Sequence, residues 1–547
     1  MGVEELTNPL LANFWNETRL RSSLATVPSP ADAPDPGVSI VWRRVAEVLG
    51  LGYGERSGAV ITKGKTLMRA RTTPSAGALY PFEVLVAFQG AHDYVLYQYD
   101  VAGCSLRRMT AVDRREIAAV LATEAPATDE LPAAVVAVVG RPWHAMRKYG
   151  RRGYLYTHLD GAHAATNIAL AGADAGFAAV VRLRFDRGEV SRVFGLEDLC
   201  REPQALVTLD ASAQRGPAGS RPAQGGAGGV RTANPFALPI WRHDSGSHLE
   251  EPDPSEREAW GLVSPVSTYH QPRVLPLRFG RTASVRPSGG PRGGGFPGDA
   301  APGGAVDGSA APVALAGRDG GLPEDLGPVV LGRQSAKGFL AKPLDADALG
   351  RALAAVRGGV TVDCADGPLA GLRLLVRSVD GVPSGAYEYD AEGHRLLPVG
   401  GDGGSEQAVV ASCMNQGVAA NCAVVLALHA PVGQLLGERG QQGLAELHFH
   451  AASIAQRLSL GAAAQDFGIS CLGGFDAGRI SDLARLGAEE EVIYVLVAGT
   501  PDENAVKWDR APIAYSHQSV HSPRNVDHTS QNVDHTPQST RGPQQPS

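Results

Sequence analysis

Lys148 and Tyr149 are neighbours in the most unusual stretch of the chain, WHAMRKYGRRGYLY at 143–156. A lysine beside a phenol, with arginines on both sides, carries the charge that lowers the pKa of either group in a desolvated cleft. A group shifted in this way acts as a general base. The alternative is a basic surface loop for an acidic partner or nucleic acid. The pattern does not say which of the two groups would be the base.

A second candidate is the loop RTTPSAGALYPFEVLVAF at 71–88, which runs directly into an apolar strand. Pro74 fixes its own φ, and Gly77 permits close approach of the backbone. Ser75 offers a hydroxyl, and Ala76 and its neighbours offer backbone amides. The combination suits the edge of a flat, hydrogen-bonding ligand, and the alternative is an ordinary connection between a loop and a strand.

A third candidate is RQSAKGF at 333–339. Arg333, Ser335 and Lys337 stand at alternate positions, which share one face in an extended chain. Two cations and a hydroxyl on one face would grip a phosphate. Solvated charges at the start of a domain are the alternative.

Two further pairs could complete such a site. Gly473 and Gly474 in CLGGFD would let backbone amides meet a ligand closely, or would form a tight turn. Lys507 and Arg510 follow the last predicted strand and would add phosphate contacts, or would be solvated charges. The HFH at 448–450 lacks a third ligand candidate, so we expect no metal site.

The composition limits the classes of function. The chain has 547 residues and a formal net charge of −7, so no global basic field attracts nucleic acid. No apolar run is long enough for a membrane span, and the first residues lack the basic region of a signal peptide. The six cysteines are widely spaced and fit neither a zinc nor a disulfide pattern. We therefore expect a cytoplasmic protein that binds neither nucleic acid nor membranes.

Glycine and proline divide the chain, because they are concentrated in its middle. Such a segment cannot bury enough apolar surface to offset its ordering entropy. We expect an N-terminal extension (1–36), a first half (37–212), a Gly/Pro-rich linker (213–327), a second half (328–515) and a disordered tail (516–547).

The two halves look like copies of each other. YQYD at 97–100 reappears as YEYD at 387–390, and the Ala-rich stretch at 158–176 matches the one at 450–468. Each half has the same order of predicted elements: an early helix, apolar strands, an aromatic strand, a buried strand, a long helix and a closing strand. The order predicts two α+β halves, each a sheet against helices, that pair as a homodimer would.

Together these segments resemble the nitroreductase superfamily of flavoproteins, and more closely its SagB-type azoline dehydrogenases. PSAGALYP (74–81) is the most specific match, followed by RKYGRRGY (147–154). RQSAKGF resembles the phosphate motif of the superfamily, and LGGF (472–475) resembles its flavin-contacting glycines. The resemblance implies tandem nitroreductase-like α/β sandwich halves that form an intramolecular pseudo-dimer.

The resemblance also implies roles for these residues. It places a catalytic pair on Lys148 and Tyr149. It implies an FMN site, and the residues that would build this site are Pro74, Ser75, Ala76, Gly77, Arg333, Ser335, Lys337, Gly473, Gly474, Lys507 and Arg510.

The pieces of this implied site are divided between the halves. The first half has the 74–77 loop and lacks the phosphate motif and the glycine pair. The second half has both of these and reads ADGPLAG at 365–371 where the loop would be. We therefore predict one complete FMN site per chain, at the interface of the halves, and a degenerate reciprocal site.

The implied activity is oxidation of thiazoline or oxazoline rings to thiazole or oxazole in a ribosomally made peptide. The partners would be the modified precursor peptide and a cyclodehydratase complex. One alternative is a generic NAD(P)H-dependent nitroreductase or a dehydroamino-acid reductase. Another is a non-catalytic scaffold that holds the peptide for a cyclodehydratase.

Overall fold

The computed structural model describes residues 39–61, 67–90, 92–101, 105–121, 131–196, 201–211, 309–318, 320–358, 360–364, 369–508 and 514–516. The predicted N-terminal extension, most of the predicted linker and nearly all of the predicted tail lie outside these residues.

The first half contains eight strands and five helices within the described residues. The strands are β1 (Glu55–Ile61), β2 (Leu67–Arg71), β3 (Phe82–Gln89), β4 (Tyr94–Asp100), β5 (Ser105–Val112), β6 (Ala134–Gly140), β7 (Ala178–Arg182) and β8 (Glu202–Asp210). The helices are α1 (Ser39–Tyr53), α2 (Arg114–Leu121), α3 (Pro142–Tyr149), α4 (Arg152–Asp174) and α5 (Arg187–Val193). Strands β1 and β2 form a separate antiparallel hairpin, and the other six belong to one sheet.

The second half repeats this plan. Its strands are β9 (Val313–Ala314), β10 (Thr361–Val362), β11 (Gly371–Val376), β12 (Gly385–Asp390), β13 (Arg395–Gly400), β14 (Val424–Ala430), β15 (Gly468–Leu472), β16 (Glu491–Gly499), β17 (Val506–Trp508) and β18 (Ala514–Ser516). Its helices are α6 (Leu326–Gly332), α7 (Ala346–Arg357), α8 (Glu406–Ser412), α9 (Val432–Ala464) and α10 (Ala477–Leu483).

The two large sheets have equivalent strand orders. The first is β10-β7-β8-β6-β3-β4-β5, and the second is β15-β16-β14-β11-β12-β13-β9. Each strand from β3 to β8 therefore has a counterpart in the second half, as the duplicated sequence predicts. The prediction of two α+β halves is confirmed.

One strand of the second half joins the sheet of the first half. Strand β10 belongs to the second half by sequence, yet it pairs in parallel with β7 and becomes the edge of the first sheet. Strand β9, which lies among residues assigned to the linker, pairs with β13 at the edge of the second sheet.

The long helices α4 and α9 pack against each other at the centre of the molecule. Nearly all of α4 is buried although it contains few large side chains, because alanine and glycine let the helices approach closely. One apolar core continues across both halves, with Ile168 and Leu209 of the first and Leu353 and Leu458 of the second in the same cluster. The described helices include none that is both long and apolar enough to cross a bilayer.

A chain of buried polar side chains crosses this helix interface. Asn167 donates to the carbonyl of Gly52 at 2.9 Å, and Gln456 of α9 donates to Asn167 at 3.0 Å. Nδ1 of His163 lies 3.0 Å from the side-chain oxygen Oε1 of Gln456, and its Nε2 lies 3.2 Å from the Tyr494 hydroxyl. Because every member has a partner, the network tolerates burial and fixes the register of the two helices.

Candidate active site

The 74–77 loop is a strained turn between β2 and β3. Ser75 caps a single 3-10 turn over Ala76–Ala78, and the backbone then enters the left-handed region at Gly77 (φ 62°), Ala78 (φ 53°) and Tyr80 (φ 46°). Gly77 adopts this conformation without a steric penalty. Ala78 and Tyr80 do not, so other contacts must hold the loop in place.

Asp160 of α4 supplies those contacts. The Ser75 hydroxyl donates to its carboxylate at 2.6 Å, and the Ala76 amide donates to both carboxylate oxygens at 3.2 Å. The Ser75 oxygen in turn accepts from the Tyr80 amide at 2.8 Å. Burial raises the pKa of Asp160 to about 7, against the opposing effect of these hydrogen bonds. The loop hydroxyl and amide that we expected to face a ligand are thus bonded to α4.

Arg333 reaches this loop from the second half. Its Nε donates to the carbonyl of Thr72 at 3.0 Å, and its Nη2 donates to the carbonyl of Arg71 at 3.4 Å. The residue is 4% exposed, and burial lowers the pKa of its guanidinium. Within the described residues Arg333 makes no ion pair, so a buried cation faces only neutral oxygens there.

The other two residues of the predicted phosphate motif lie on the chain after Arg333. Ser335 forms an isolated parallel bridge with Ile469 of β15, which fixes the motif beside the strand that leads to the glycine pair. Ser335 and Lys337 are both half-buried. The structure therefore brings the phosphate motif, the 71–77 loop and β15 together across the interface.

A small pocket opens between the halves beside Gly473. Its lining residues come from α4, α9, β16 and the segment that follows β15: Arg152, Leu155, Tyr156, Leu159, His448, Gly473, Phe475, Ile493 and Tyr494. A Cβ on Gly473 would lie 2.6 Å from the Tyr156 ring, so only glycine lets this ring rest on the backbone. The neighbouring Gly474 carbonyl accepts from Gln416 at 2.7 Å.

Lys148 and Tyr149 end α3 at the edge of this pocket, and both are half-buried. The Tyr149 ring meets the ring of Tyr156 edge-on, with centroids 5.0 Å apart. The Lys148 ammonium lies 5.3 Å from the centroid of the Tyr149 ring. The predicted pair is therefore connected to the pocket through one aromatic contact.

Arg152 lies across the mouth of the pocket. Its Nε donates to the Gly473 carbonyl at 3.0 Å and to the Tyr156 hydroxyl at 3.1 Å. Its guanidinium also lies 4.9 Å from the centroid of the Phe475 ring. One exposed cation thus links an aromatic residue of each half.

Two predicted residues cannot be placed in this site. Lys507 lies in β17, but its side chain is outside the described residues, as is the whole of Arg510.

Conversely, three residues of the site are not predicted from the sequence. Asp160 and Tyr494 lie in stretches that read as an apolar helix and strand, and only their polar types interrupt the pattern. Tyr156 was visible as a tyrosine of the basic stretch without an assigned role.

The sequence profile of the Nitroreductase family matches residues 62–209 and 330–500, more than half of the chain. The chain belongs to the Nitroreductase family. Members of this family are oxidoreductases that typically bind flavin, and the two matched segments coincide with the two sheets. A comparison with curated proteins finds no match.

One solved structure that covers most of this chain has the same fold. A candidate nitroreductase from Anabaena variabilis is 19% identical, covers 86% of this chain and 90% of its own, and has a TM-score of 0.61. A chain of the E. coli microcin synthetase McbBCD complex with truncated pro-MccB17 bound is 18% identical over 31% of this chain and 63% of its own, with a TM-score of 0.27. A candidate nitroreductase from Ralstonia eutropha is 20% identical over 37% of this chain and 99% of its own, with a TM-score of 0.26.

The residues of this site fit the flavin that the family implies. A buried guanidinium bonded only to neutral carbonyls is costly unless an anion approaches it, and the Arg333 guanidinium is of this kind. The Thr73 hydroxyl beside the loop is fully buried and has no hydrogen-bond partner. An anionic cofactor with hydrogen-bonding edges would give both of these groups a partner.

Proposed function

We propose that this protein is an FMN-dependent dehydrogenase that oxidises thiazoline or oxazoline rings to azoles in a peptide. The observation that carries the proposal is the position of Lys148 and Tyr149, which contact the pocket through Tyr156. A generic nitroreductase reduces its substrate and needs no general base at this position. Oxidation of an azoline needs one, because a weak carbon acid must lose a proton.

The proposed reaction removes two hydrogens from the ring, one as a proton and one as a hydride. The bound flavin would supply the hydride acceptor. Tyr149 as a phenolate beside Lys148 would take the proton at Oη, or Lys148 as a free amine would take it at Nζ. Leu155 and Leu159 would exclude water from the ring, and molecular oxygen would serve as the final electron acceptor.

The proposed cofactor residues divide by chemistry. Arg333, Ser335 and Lys337 would hold the phosphate, with Lys507 and Arg510 as further candidates. The loop Pro74, Ser75, Ala76 and Gly77 and the pair Gly473 and Gly474 would approach the ring system.

The structure of the reciprocal position supports one FMN per chain. Leu183 and Arg184 follow β7 as Gly473 and Gly474 follow β15. Their amides donate to the Asp363 carboxylate at 2.8 and 3.1 Å. The chain's own carboxylate thus takes donors that would face a second flavin, beside a fully buried Glu446 that pairs with Arg184 at 2.8 Å.

We predict that Lys148→Ala and Tyr149→Phe each retain FMN and lose azole formation by at least ~100-fold, the usual contribution of a general base. The measurement is the 2 Da mass loss of an azoline peptide. Arg115→Ala is the matched control, because Arg115 is an exposed cation on α2, outside the basic stretch, and should leave turnover unchanged. Near-wild-type turnover in either test variant would remove the base assignment.

We also predict one FMN per folded chain, measured as flavin absorbance against protein concentration. Two tightly bound FMN would contradict the division of the site. A colourless protein would favour the peptide-binding scaffold, whereas bleaching of the flavin by NAD(P)H would favour the generic reductase. Co-purification with a cyclodehydratase and its precursor peptide would identify the proposed partners.

A further inference from the structure

We propose that Asp160 is a positioning residue that fixes the 74–77 loop at the flavin site. The inference rests on the proposed flavin function and deepens it, because it names what holds the loop in its binding geometry. It concerns α4, which contributes Tyr156 to the pocket and Asp160 to the loop on successive turns.

The geometry is a relay of hydrogen bonds from the loop to the helix. The Tyr80 amide donates to the Ser75 hydroxyl. That hydroxyl in turn donates its single hydrogen to the Asp160 carboxylate at 2.6 Å. The Ala76 amide donates to the same carboxylate. Asp160 thereby accepts from two adjacent residues at the start of the 3-10 turn, and it does so from a helix buried at the centre of the molecule.

The loop needs such a holder because it is strained. Left-handed φ values at Ala78 and Tyr80 are unfavourable for residues with a side chain and persist only where surrounding contacts determine them. No other side chain of the described residues outside the loop bonds to the Ser75 hydroxyl or the Ala76 amide. Without Asp160, the loop should relax toward ordinary φ values and leave its binding geometry.

A purely structural role makes a different prediction. An acidic side chain at 3% exposure is costly to bury, so its removal need not weaken the fold. A positioning residue should therefore change flavin affinity without lowering thermal stability. A structural residue should lower the melting temperature and leave the affinity of the folded protein unchanged.

The test is the dissociation constant of FMN, measured by fluorescence quenching on full-length protein stripped of flavin. We expect Asp160→Ala to weaken FMN binding about tenfold or more, equal to the loss of one or two net hydrogen bonds. Asp160→Asn should restore part of the affinity, because its carbonyl oxygen still accepts. Thr166→Val is the matched control, since it alters a buried α4 residue whose hydroxyl has no partner.

A double-mutant cycle ties the effect to the loop. Ser75→Ala should weaken FMN binding, and the double variant should lose less affinity than the sum of the two single losses, because both changes remove the bond between Ser75 and Asp160. Full additivity, or wild-type affinity in Asp160→Ala, would overturn the proposal. Should Asp160→Ala fail to fold, Ser75→Ala and Asp160→Asn carry the same test. A wild-type chain that binds no FMN would overturn the proposed flavin function itself.

Discussion

At the scale of single residues, the site is set by two buried charges that do not pair. Arg333 bonds to carbonyls of the 71–72 backbone, and Asp160 accepts from Ser75 and Ala76. Both residues hold the same loop from opposite sides, one from each half. Burying either charge without an ion-pair partner is unfavourable. A bound ligand with complementary groups would offset this desolvation penalty.

Asp160 should make stability depend on pH. Burial raises its pKa from 3.8 to about 7, so the folded protein binds this proton more tightly than the unfolded chain. The ionised carboxylate therefore opposes folding, and stability is lost as pH rises from about 4 to about 7. We expect the stability of Asp160→Asn relative to the wild type to increase over that window. Urea unfolding at pH 5 and pH 8 measures it, and a difference that does not change with pH would contradict the prediction.

At the scale of elements, most helices and strands are predictable from the spacing of apolar residues and from the duplicated stretches. The apolar runs at 82–88, 133–140 and 492–499 give β3, β6 and β16, because continuous apolar strands are buried on both faces. The duplicated stretches give α4 and α9. The pairing of β10 with β7 is not predictable, since two residues carry no period and their partner lies 181 residues away by register. The contact of Asp160 with the loop is not predictable either, because its partners lie 84 and 85 residues away in the sequence.

The close approach of α9 to α7 yields an element-scale prediction. A Cβ on Gly461 would lie 2.7 Å from the Ala352 carbonyl oxygen of α7. Gly461→Ala should therefore destabilise the fold by about 1–3 kcal/mol through overpacking. Gly437→Ala is the control; it lies in the part of α9 before a kink at Gly440, and nothing lies within 4 Å of that position. It should stabilise the helix by up to about 1 kcal/mol, and equal effects in the two variants would disprove the packing argument.

At the scale of the whole molecule, duplication has let two positions that began alike acquire different tasks. The Gly473 side has a pocket, with the Lys148–Tyr149 pair beside its Tyr156. The Leu183 side has its amides taken by Asp363 and its interior filled by Glu446 and its arginine partners. A homodimer cannot diverge in this way, because every substitution appears in both of its sites. Fusion into one chain removes that constraint.

The fused halves should nonetheless hold together without their covalent connection. They share one apolar core, the α4–α9 contact and the β10–β7 pairing, which together resemble an obligate dimer interface. We expect a chain cut at a protease site inserted after residue 260 to elute as one particle and to keep its flavin. Size-exclusion chromatography with flavin detection, before and after cleavage, measures this, and an uncleaved sample carrying the same insertion is the control. Separation of the fragments in buffer would mean that the connection, rather than the shared core, maintains the site.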